Sequence, residues 1–229
     1  MKINPYPYPF IAIEGVDGCG KTTLIEELKK CDKAEKIGAV FTREPTDGAI
    51  GKKIREILAD NGRDENKRVS AVGLQRLFIK DRREHRKTEA VLLESRPVVS
   101  DRDFVSTLVY GMAEEVNPQW IVSAHELILG KYFFVPDLVL VLDLSPDEAM
   151  KRSEKGGKPA DYFEERIKLR RAIHKAYLQF PVILEKFYPE VKMNIRFIDA
   201  LPAPEKVFKD SLFLINECFQ EKLSKIERN

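Results

Sequence analysis

Residues 10–30 read FIAIEGVDGCGKTTLIEELKK, and the order of residues in this stretch indicates the class of fold. The apolar run Phe10–Glu14 predicts a buried strand, and the amphipathic run Thr22–Lys30 predicts a helix. Between them, Gly15–Thr23 matches the pattern G-x-x-x-x-G-K-[ST]. Glycines let backbone N–H groups point inward at phosphate oxygens, and the following helix adds its positive end. The sequence therefore predicts a phosphate-binding loop.

The whole of this loop is a candidate contact surface for a donor nucleotide. Lys21 is expected to reach the β- and γ-phosphates, and the Thr22 hydroxyl to hold Mg²⁺. Asp17 is unusual in a loop that binds anions, so we expect its carboxylate to face a second substrate. A surface aspartate that merely favours the turn is the alternative. The predicted nucleotide contacts are Gly15, Val16, Asp17, Gly18, Cys19, Gly20, Lys21, Thr22 and Thr23.

Short apolar runs alternate with longer helical patterns along the rest of the chain. The predicted strands are Phe10–Glu14, Ala39–Arg43, Pro97–Asp101, Leu138–Leu144 and Ile195–Asp199. The predicted helical stretches are Thr22–Lys30, Ile50–Asn61, Val69–Glu94, Phe104–Gly130 with a break near Pro118, Pro146–Tyr188 and Pro204–Ile226. This alternation predicts a doubly wound α/β sandwich, a parallel sheet with helices on both faces, forming one domain over residues 1–229. Ligands of such sheets bind at the carboxyl ends of the strands.

The composition gives no indication of a nucleic-acid-binding, disulfide-rich or membrane-spanning protein. The chain has 229 residues, with 39 Lys and Arg against 37 Asp and Glu, so its net charge of +2 gives no reason to expect nucleic acid as a partner. Its three cysteines show no metal or disulfide spacing, which fits a reducing cytosol. No apolar stretch approaches membrane-spanning length. We expect a soluble cytoplasmic protein, in which His85, His125 and His174 are structural.

Residues that follow the second strand and line the next two helices suggest an acceptor site. Arg43 and Glu44 come at the carboxyl end of that strand, where Arg43 is well placed to meet a phosphate. Arg55 lies on the next helix. Phe78 and Arg82 are four residues apart and share one helix face, which suits a base that stacks and accepts a hydrogen bond. The alternative is that Phe78 belongs to the core and Arg82 to a solvated face.

The third strand ends in a pair typical of phosphoryl transfer. Asp101 follows a buried strand, where a ligand to Mg²⁺-bound water is expected. Arg102 comes next and is expected to bridge the phosphates of two substrates. Such a cation neutralises charge that develops in the transition state.

In this order, the motifs resemble those of the thymidylate kinase family, P-loop enzymes that phosphorylate dTMP with ATP. The resemblance covers nearly the whole chain. It rests on Gly15–Thr23, Thr42–Pro45, Ile50-Gly51 with Ile54-Arg55, Leu77-Phe78 with Asp81-Arg82, Asp101-Arg102, Ser106-Thr107 with Tyr110, Pro136–Leu138, Leu142-Asp143, and Asp161 with Phe163-Glu164.

The resemblance implies ATP as donor, dTMP as acceptor, Mg²⁺ as cofactor, a five-stranded parallel sheet and a homodimer. Phe78 is then expected to stack on thymine and Arg82 to bond to its edge, with Asp17 near the sugar hydroxyl and the acceptor phosphate. The implied acceptor contacts are Arg43, Glu44, Arg55, Phe78, Arg82, Arg102, Thr107 and Tyr110, and the implied metal-site residues are Thr22 and Asp101.

The chain departs from the family pattern in three places. Asp103 stands where the family usually has an aromatic residue or histidine, and Gly111 where it usually has a glutamine that contacts the base. A lid is expected near residues 152–162, with lysines where many members place an arginine. The implied catalytic residues are Lys21, Asp17, Arg102, Lys155 and Lys158.

These observations leave two alternatives to a dTMP kinase. One is a kinase for another pyrimidine nucleotide or for a deoxynucleoside. The other, from a different class, is a nucleotide-binding homologue with little turnover that acts through a partner.

Overall fold

Seven strands are present in the computed structural model, which describes residues 1–31, 38–60, 69–153 and 160–226. In chain order they are β1 (Lys2–Ile3), β2 (Phe10–Glu14), β3 (Val40–Arg43), β4 (Val98–Asp101), β5 (Phe134–Val135), β6 (Leu138–Asp143) and β7 (Ile195–Asp199). Five of them form a parallel sheet in the order β3-β4-β2-β6-β7. The predicted doubly wound, five-stranded α/β sheet is therefore confirmed.

Helices flank this sheet. The described α-helices are α1 (Lys21–Lys30), α2 (Ala49–Asp60), α3 (Ala71–Leu92), α4 (Phe104–Ala113), α5 (Pro118–Leu129), α6 (Pro146–Ser153), α7 (Ala160–Phe187) and α8 (Pro204–Ile226). Within the described part of the chain, no helix is both long and apolar enough to cross a membrane.

The predicted boundaries agree closely with these elements, and the differences have local causes. The predicted break near Pro118 is confirmed, since it separates α4 from α5. The Asn117 side chain accepts a hydrogen bond from the Gln119 N–H, and Pro118 occupies the first turn of α5. The N-terminal segment also contributes a short strand, since β1 pairs in parallel with β5.

The burial of the central strands explains why their sequences are continuous apolar runs. Every residue of β2 is buried, as are the first five of β6. Parallel strands covered on both faces read as continuous apolar runs rather than alternating ones. The exception is Glu14, the last residue of β2, whose side chain is completely buried.

Strand register gathers the predicted functional residues at one edge of the sheet. Arg43, at the end of β3, lies opposite Asp101, at the end of β4. Asp101 in turn lies opposite Ile13 of β2, two residues before the glycine-rich loop. The ends of three adjacent strands therefore meet beside the loop, as expected for a parallel sheet.

Candidate active site

The glycine-rich loop between β2 and α1 has a backbone that a side chain would disrupt. Gly15 has φ = 138°, and a Cβ there would lie 2.7 Å from the carbonyl oxygen of Leu142 and 2.8 Å from Cys19 Sγ. Only glycine fits this position without strain. Val16 and Cys19 are buried, whereas Asp17 and Gly18 are exposed. The loop therefore lies against the end of β6 and leaves its outer surface open.

Lys21 begins α1 and folds back over the loop. Its Nζ donates to the carbonyl oxygens of Gly15 at 3.0 Å and Val16 at 3.1 Å, and lies 3.9 Å from Cys19 Sγ. Burial, followed by the positive charge of Arg102, lowers the pKa of the Lys21 ammonium below its ordinary value. Two cations are thus held near one another, an arrangement that anionic phosphates would relieve.

Arg102 joins the end of β4 to the loop. Its guanidinium donates to Asp17 Oδ1 at 2.5 Å and to the Gly15 carbonyl oxygen at 3.2 Å. It also lies 5.2 Å from the centre of the Tyr110 ring. The residue has φ = 71°, in the left-handed region that side chains rarely adopt. Backbone strain of this kind persists where the surroundings hold it, and functional sites are common places for it.

Glu14 was not a predicted site residue, although it organises this region. Its carboxylate accepts from the N–H groups of Asp103 and Ser106 at the start of α4, at 2.8 and 3.2 Å. It also accepts from the hydroxyls of Ser106 at 2.6 Å and Tyr177 at 2.8 Å. Burial raises the pKa of Glu14 even though Arg102 opposes that shift. An acidic residue at the end of an apolar strand was the available sequence signal.

Asp101 and Thr22 fit the predicted magnesium site. The Oδ1 atom of Asp101 is buried and has no hydrogen-bond partner among the described residues. Buried carboxylate oxygens normally have a partner, so this atom suits a ligand such as metal-bound water. Thr22, at the start of α1, lines the same two cavities as Asp101. A carboxylate and a hydroxyl are the oxygen ligands that Mg²⁺ prefers.

A cavity of 720 Å³ opens beside the loop. On one side it is lined by the loop and by Asp101 and Arg102. On the other side lies Arg152, which donates to the carbonyl oxygens of Ala200 and Leu201, both at 3.0 Å. The far wall, which sequence reasoning missed because it follows the last strand without a motif, comprises Ala200, Leu201, Pro202, Ala203, Pro204, Val207 and Phe208.

A second cavity, of 500 Å³, lies between α1 and the end of β3. Arg43 Nη2 contacts Asp47 Oδ1 at 2.7 Å, and Arg55 Nη2 contacts the same oxygen at 3.1 Å. Asp47 is 69% exposed. The two predicted phosphate contacts therefore converge on one accessible carboxylate. The second cavity is lined by Thr22, Ile25, Glu26, Lys29, Phe41, Thr42, Arg43, Thr46, Asp47, His85 and Asp101.

Arg82 lies in the interior rather than on a solvated face. Its side chain is 1% exposed, and it donates from Nε and Nη2 to Glu44 and from Nη1 to Thr107 Oγ1 at 2.8 Å. Glu44 also contacts His85 Nδ1 at 3.2 Å through its other oxygen. Burial alone raises the pKa of Glu44, but Arg82 and His85 hold it at about 2. Both oxygens of Glu44 are thus engaged by protein groups, and it holds Arg82.

The remaining predicted acceptor residues line the adjoining helices. Phe78, on α3, and Tyr110, on α4, are partly exposed, whereas Thr107 is buried. Packing limits the space beside the unexpected Gly111. A Cβ there would lie 2.5 Å from Ile121 Cδ1 and 3.3 Å from Gln75 Cγ. A larger residue at this position therefore requires the end of the Ile121 side chain to move and Gln75 to give slightly.

Asp103 has a structural reason for its departure from the family pattern. Its Oδ1 accepts from Arg86 Nη2 at 2.5 Å and lies 3.3 Å from Arg82 Nε. The Arg86 guanidinium lies 4.7 Å from the ring centres of both Phe10 and Phe134. Burial raises the pKa of Asp103 to about 6 although Arg86 and Arg82 oppose it. An aromatic residue at 103 would remove this acceptor from the buried Arg86 and a nearby negative charge from Arg82.

His125 is completely buried on α5, and its Nε2 lies 2.8 Å from Arg82 Nη1. Burial, followed by the positive charge of Arg82, lowers the pKa of His125 to about 3, compared with about 6.5 for an ordinary histidine. The imidazole is therefore neutral at physiological pH, consistent with the structural role expected from the sequence.

This low pKa predicts a pH dependence of stability. A histidine that is harder to protonate when folded stabilises the protein fully above pH 6.5, and the contribution is lost as pH falls toward 3. Between pH 7 and 5 the loss is about 2 kcal/mol. Denaturant unfolding at both pH values should show a drop in unfolding free energy that is smaller by about this amount in His125→Phe than in the wild type. Equal drops in the two proteins would contradict the low pKa.

The predicted lid lies mostly outside the described residues. Lys155 and Lys158, the candidate lid cations, belong to the part of the chain that the structure does not describe. Arg152, at the start of the predicted lid, instead contacts the wall of the larger cavity. The structure thus assigns Arg152 to the cavity wall and leaves the two lysines as predictions.

The amino-acid sequence of this chain is similar to those of known proteins. The family model described as Thymidylate kinase matches residues 13–194. A probable thymidylate kinase of Thermococcus gammatolerans is 33% identical over 213 residues, 91% of this chain and 96% of that protein. One from Methanococcus maripaludis is 41% identical over 206 residues, 89% of this chain and 92% of that protein. One from Pyrococcus horikoshii is 30% identical over 208 residues, 90% of this chain and 95% of that protein. The chain therefore belongs to the thymidylate kinase family.

Proposed function

We propose that this member of the thymidylate kinase family transfers the terminal phosphoryl group of ATP to dTMP, giving dTDP for dTTP synthesis. One observation carries the proposal beyond family membership. The two cavities meet at Thr22 and Asp101, which line both of them. Two phosphate-bearing substrates can therefore approach one another at the pair of residues that suits a magnesium ion.

The larger cavity suits ATP. Its loop side offers backbone N–H groups and Lys21 to the phosphates, and the helix α1 adds its positive end. Its far side combines the Arg152 guanidinium with apolar side chains such as Val207 and Phe208. A planar, largely apolar base fits between such groups. We assign the adenine to that side.

Thr22 and Asp101 are the residues that we propose hold Mg²⁺, Asp101 through bound water. A magnesium ion bound to the phosphates supplies positive charge where negative charge develops during transfer. The buried, unpartnered oxygen of Asp101 is the observation that supports this assignment.

The smaller cavity suits the phosphate of the acceptor. Arg43 and Arg55 share Asp47, whose exposed carboxylate occupies the position that we assign to a phosphate oxygen. A phosphate carries more charge and more acceptor atoms than a carboxylate, so dTMP is expected to displace Asp47 from these two arginines. Asp17 and Arg102, which line the larger cavity beside Asp101, are also proposed to hold the acceptor phosphate and sugar.

The base is proposed to lie between α3 and α4. Phe78 is partly exposed and offers a ring for stacking, and Tyr110 is proposed to pack against the sugar. Arg82 and Thr107, joined by a 2.8 Å hydrogen bond, are proposed to meet the edge of the base. We propose that the packing of the sugar against Tyr110 leaves little room for a 2′-hydroxyl, which favours a deoxyribose.

Transfer itself requires positioning and charge neutralisation rather than a covalent intermediate. Lys21 and Arg102, which both donate to the Gly15 carbonyl oxygen, supply fixed positive charge beside the loop. We propose that Lys155 or Lys158 closes over the transferring group as the lid, near residues 152–162. We further propose that the chain is one domain, acts as a homodimer in the cytoplasm, and requires neither nucleic acid nor a membrane.

A competition assay tests the choice of acceptor. With ATP in excess, kcat/KM should be highest for dTMP, about 10-fold lower for dUMP, which lacks one methyl group, and at least about 100-fold lower for dCMP. Cytosine presents an amino group where thymine presents a carbonyl, and two donors facing each other cannot bond. A purine nucleotide or a deoxynucleoside with the highest kcat/KM would contradict the proposal.

A further inference from the structure

We propose that His125 is a positioning residue for base selection: by accepting a hydrogen bond from Arg82, it fixes which N–H of that guanidinium is presented to the base. The proposal rests on the role proposed above for Arg82 at the base edge. It concerns a histidine on α5 that touches no substrate in our assignment.

The contacts of His125 define its tautomer. Its Nδ1 lies 2.8 Å from the carbonyl oxygen of Ile121, which can only accept, so Nδ1 carries the proton. Its Nε2 lies 2.8 Å from Arg82 Nη1, which can only donate, so Nε2 is the acceptor. Both requirements are met by one neutral form of the ring. Arg82 and the Ile121 carbonyl oxygen therefore both require the same tautomer of His125, the neutral ring protonated on Nδ1.

The ring of His125 is also held in orientation. It stacks on Phe133 with centroids 5.4 Å apart and an interplanar angle of 25°. It meets the Phe104 ring edge-on, at 5.9 Å and 82°. Since the residue has no exposed surface, water cannot replace the contact to Arg82. The rings of Phe133 and Phe104 thus hold the acceptor atom in place.

The contact with His125 reduces the number of free N–H groups on Arg82. A guanidinium has five N–H groups. The described residues engage four of them, two through Glu44, one through Thr107 and one through His125. One N–H, on Nη2, remains. Arg82 therefore retains a single N–H, and this is the donor that we propose it offers to the base.

A single fixed donor distinguishes pyrimidine bases. It can bond to the carbonyl oxygen at position 4 of thymine or uracil, and it opposes the amino group at that position of cytosine. If His125 loses its acceptor, a second N–H becomes free and the guanidinium can turn within the pocket. A turned guanidinium can meet the ring nitrogen acceptor of cytosine. Discrimination between dTMP and dCMP should then fall.

Two substitutions separate hydrogen bonding from packing. His125→Phe keeps a ring for stacking and removes the acceptor, whereas His125→Gln keeps an acceptor near the position of Nε2. Phe133→Leu is the packing control, because it loosens the stack but keeps the acceptor nitrogen of His125 and its partners Arg82 and Ile121. If His125→Phe does not yield folded protein, His125→Asn replaces it, since its shorter side chain places no acceptor near Nε2.

The measurements are kcat and KM for dTMP and dCMP, and KM for ATP. For His125→Phe we expect kcat/KM for dTMP to fall about 10- to 100-fold, mainly through KM for dTMP. The ratio of kcat/KM for dTMP to that for dCMP should fall at least about 10-fold, with KM for ATP unchanged. His125→Gln should recover most of the ratio, and Phe133→Leu should keep it.

The proposal fails if the variants keep the wild-type dTMP/dCMP ratio, and Arg82→Lys shows whether the role of His125 alone fails or that of Arg82 as well. If His125→Phe and Phe133→Leu lower activity while both keep the wild-type dTMP/dCMP ratio, His125 only packs. If Arg82→Lys also keeps the ratio, then Arg82 does not select the base and the role proposed for it fails as well. Loss of the ratio in Arg82→Lys but not in His125→Phe overturns the positioning role alone.

Discussion

Lys21→Ala is expected to lower kcat about 1,000-fold or more while leaving the protein folded. The ammonium group is the main side-chain cation of the phosphate-binding loop, and alanine offers nothing in its place. Removing it should cost little stability. Lys21 is buried, makes no ion pair within 4 Å among the described residues, and has its pKa lowered chiefly by burial. The charge of Lys21 is therefore expected to contribute more to ligand binding than to the stability of the fold without ligands.

Steady-state kinetics and denaturant unfolding together test this expectation. The unfolding free energy of Lys21→Ala should lie within about 1 kcal/mol of the wild type. Lys30→Ala is the matched control, since Lys30 ends the same helix, pairs with Glu27 at 3.1 Å and is 69% exposed. It should keep full activity. A kcat near the wild-type value in Lys21→Ala would refute the assignment of the donor site.

Arg102→Ala is expected to lower kcat/KM for dTMP about 1,000-fold. Arg102 contacts Asp17 and Gly15 of the loop, so its loss removes a cation from the point where both substrates are proposed to meet. Some loss of stability is expected as well, because buried Glu14 loses a nearby positive charge. Thermal unfolding defines the temperatures at which the variant is folded and can be assayed.

Arg102→Lys and Arg171→Ala make this result interpretable. Lysine keeps the charge without the planar fork, so Arg102→Lys should recover only part of the activity. Arg171 lies on the exposed face of α7, pairs with Asp147 at 2.9 Å and is 60% exposed. Its replacement by alanine removes the same charge from the surface and should leave kcat unchanged. Wild-type kinetics in Arg102→Ala would show that Lys21 and the metal ion suffice.

Local patterns in the sequence were enough to predict the sheet and the phosphate-binding loop. The five strands of the sheet and the loop glycines are specified by residues close together in the chain, through apolar runs and backbone conformations that neighbours impose. The pairs Asp101-Arg102 and Phe78-Arg82 could be placed on a strand end and a helix face for the same reason. The order of these motifs also indicated the family, which the comparisons confirmed.

Only the tertiary structure decided the surroundings of the acceptor site. Arg82 reads from sequence as half of a helix-face pair, but its partners come from the end of β3, from α4 and from α5, with His125 43 residues away along the chain. The space beside Gly111 is limited by Gln75 and Ile121 on two other helices. Burial and hydrogen-bond partners between distant segments depend on how the helices pack, and no local pattern encodes that packing. The same packing makes His125 neutral and turns its free nitrogen toward Arg82.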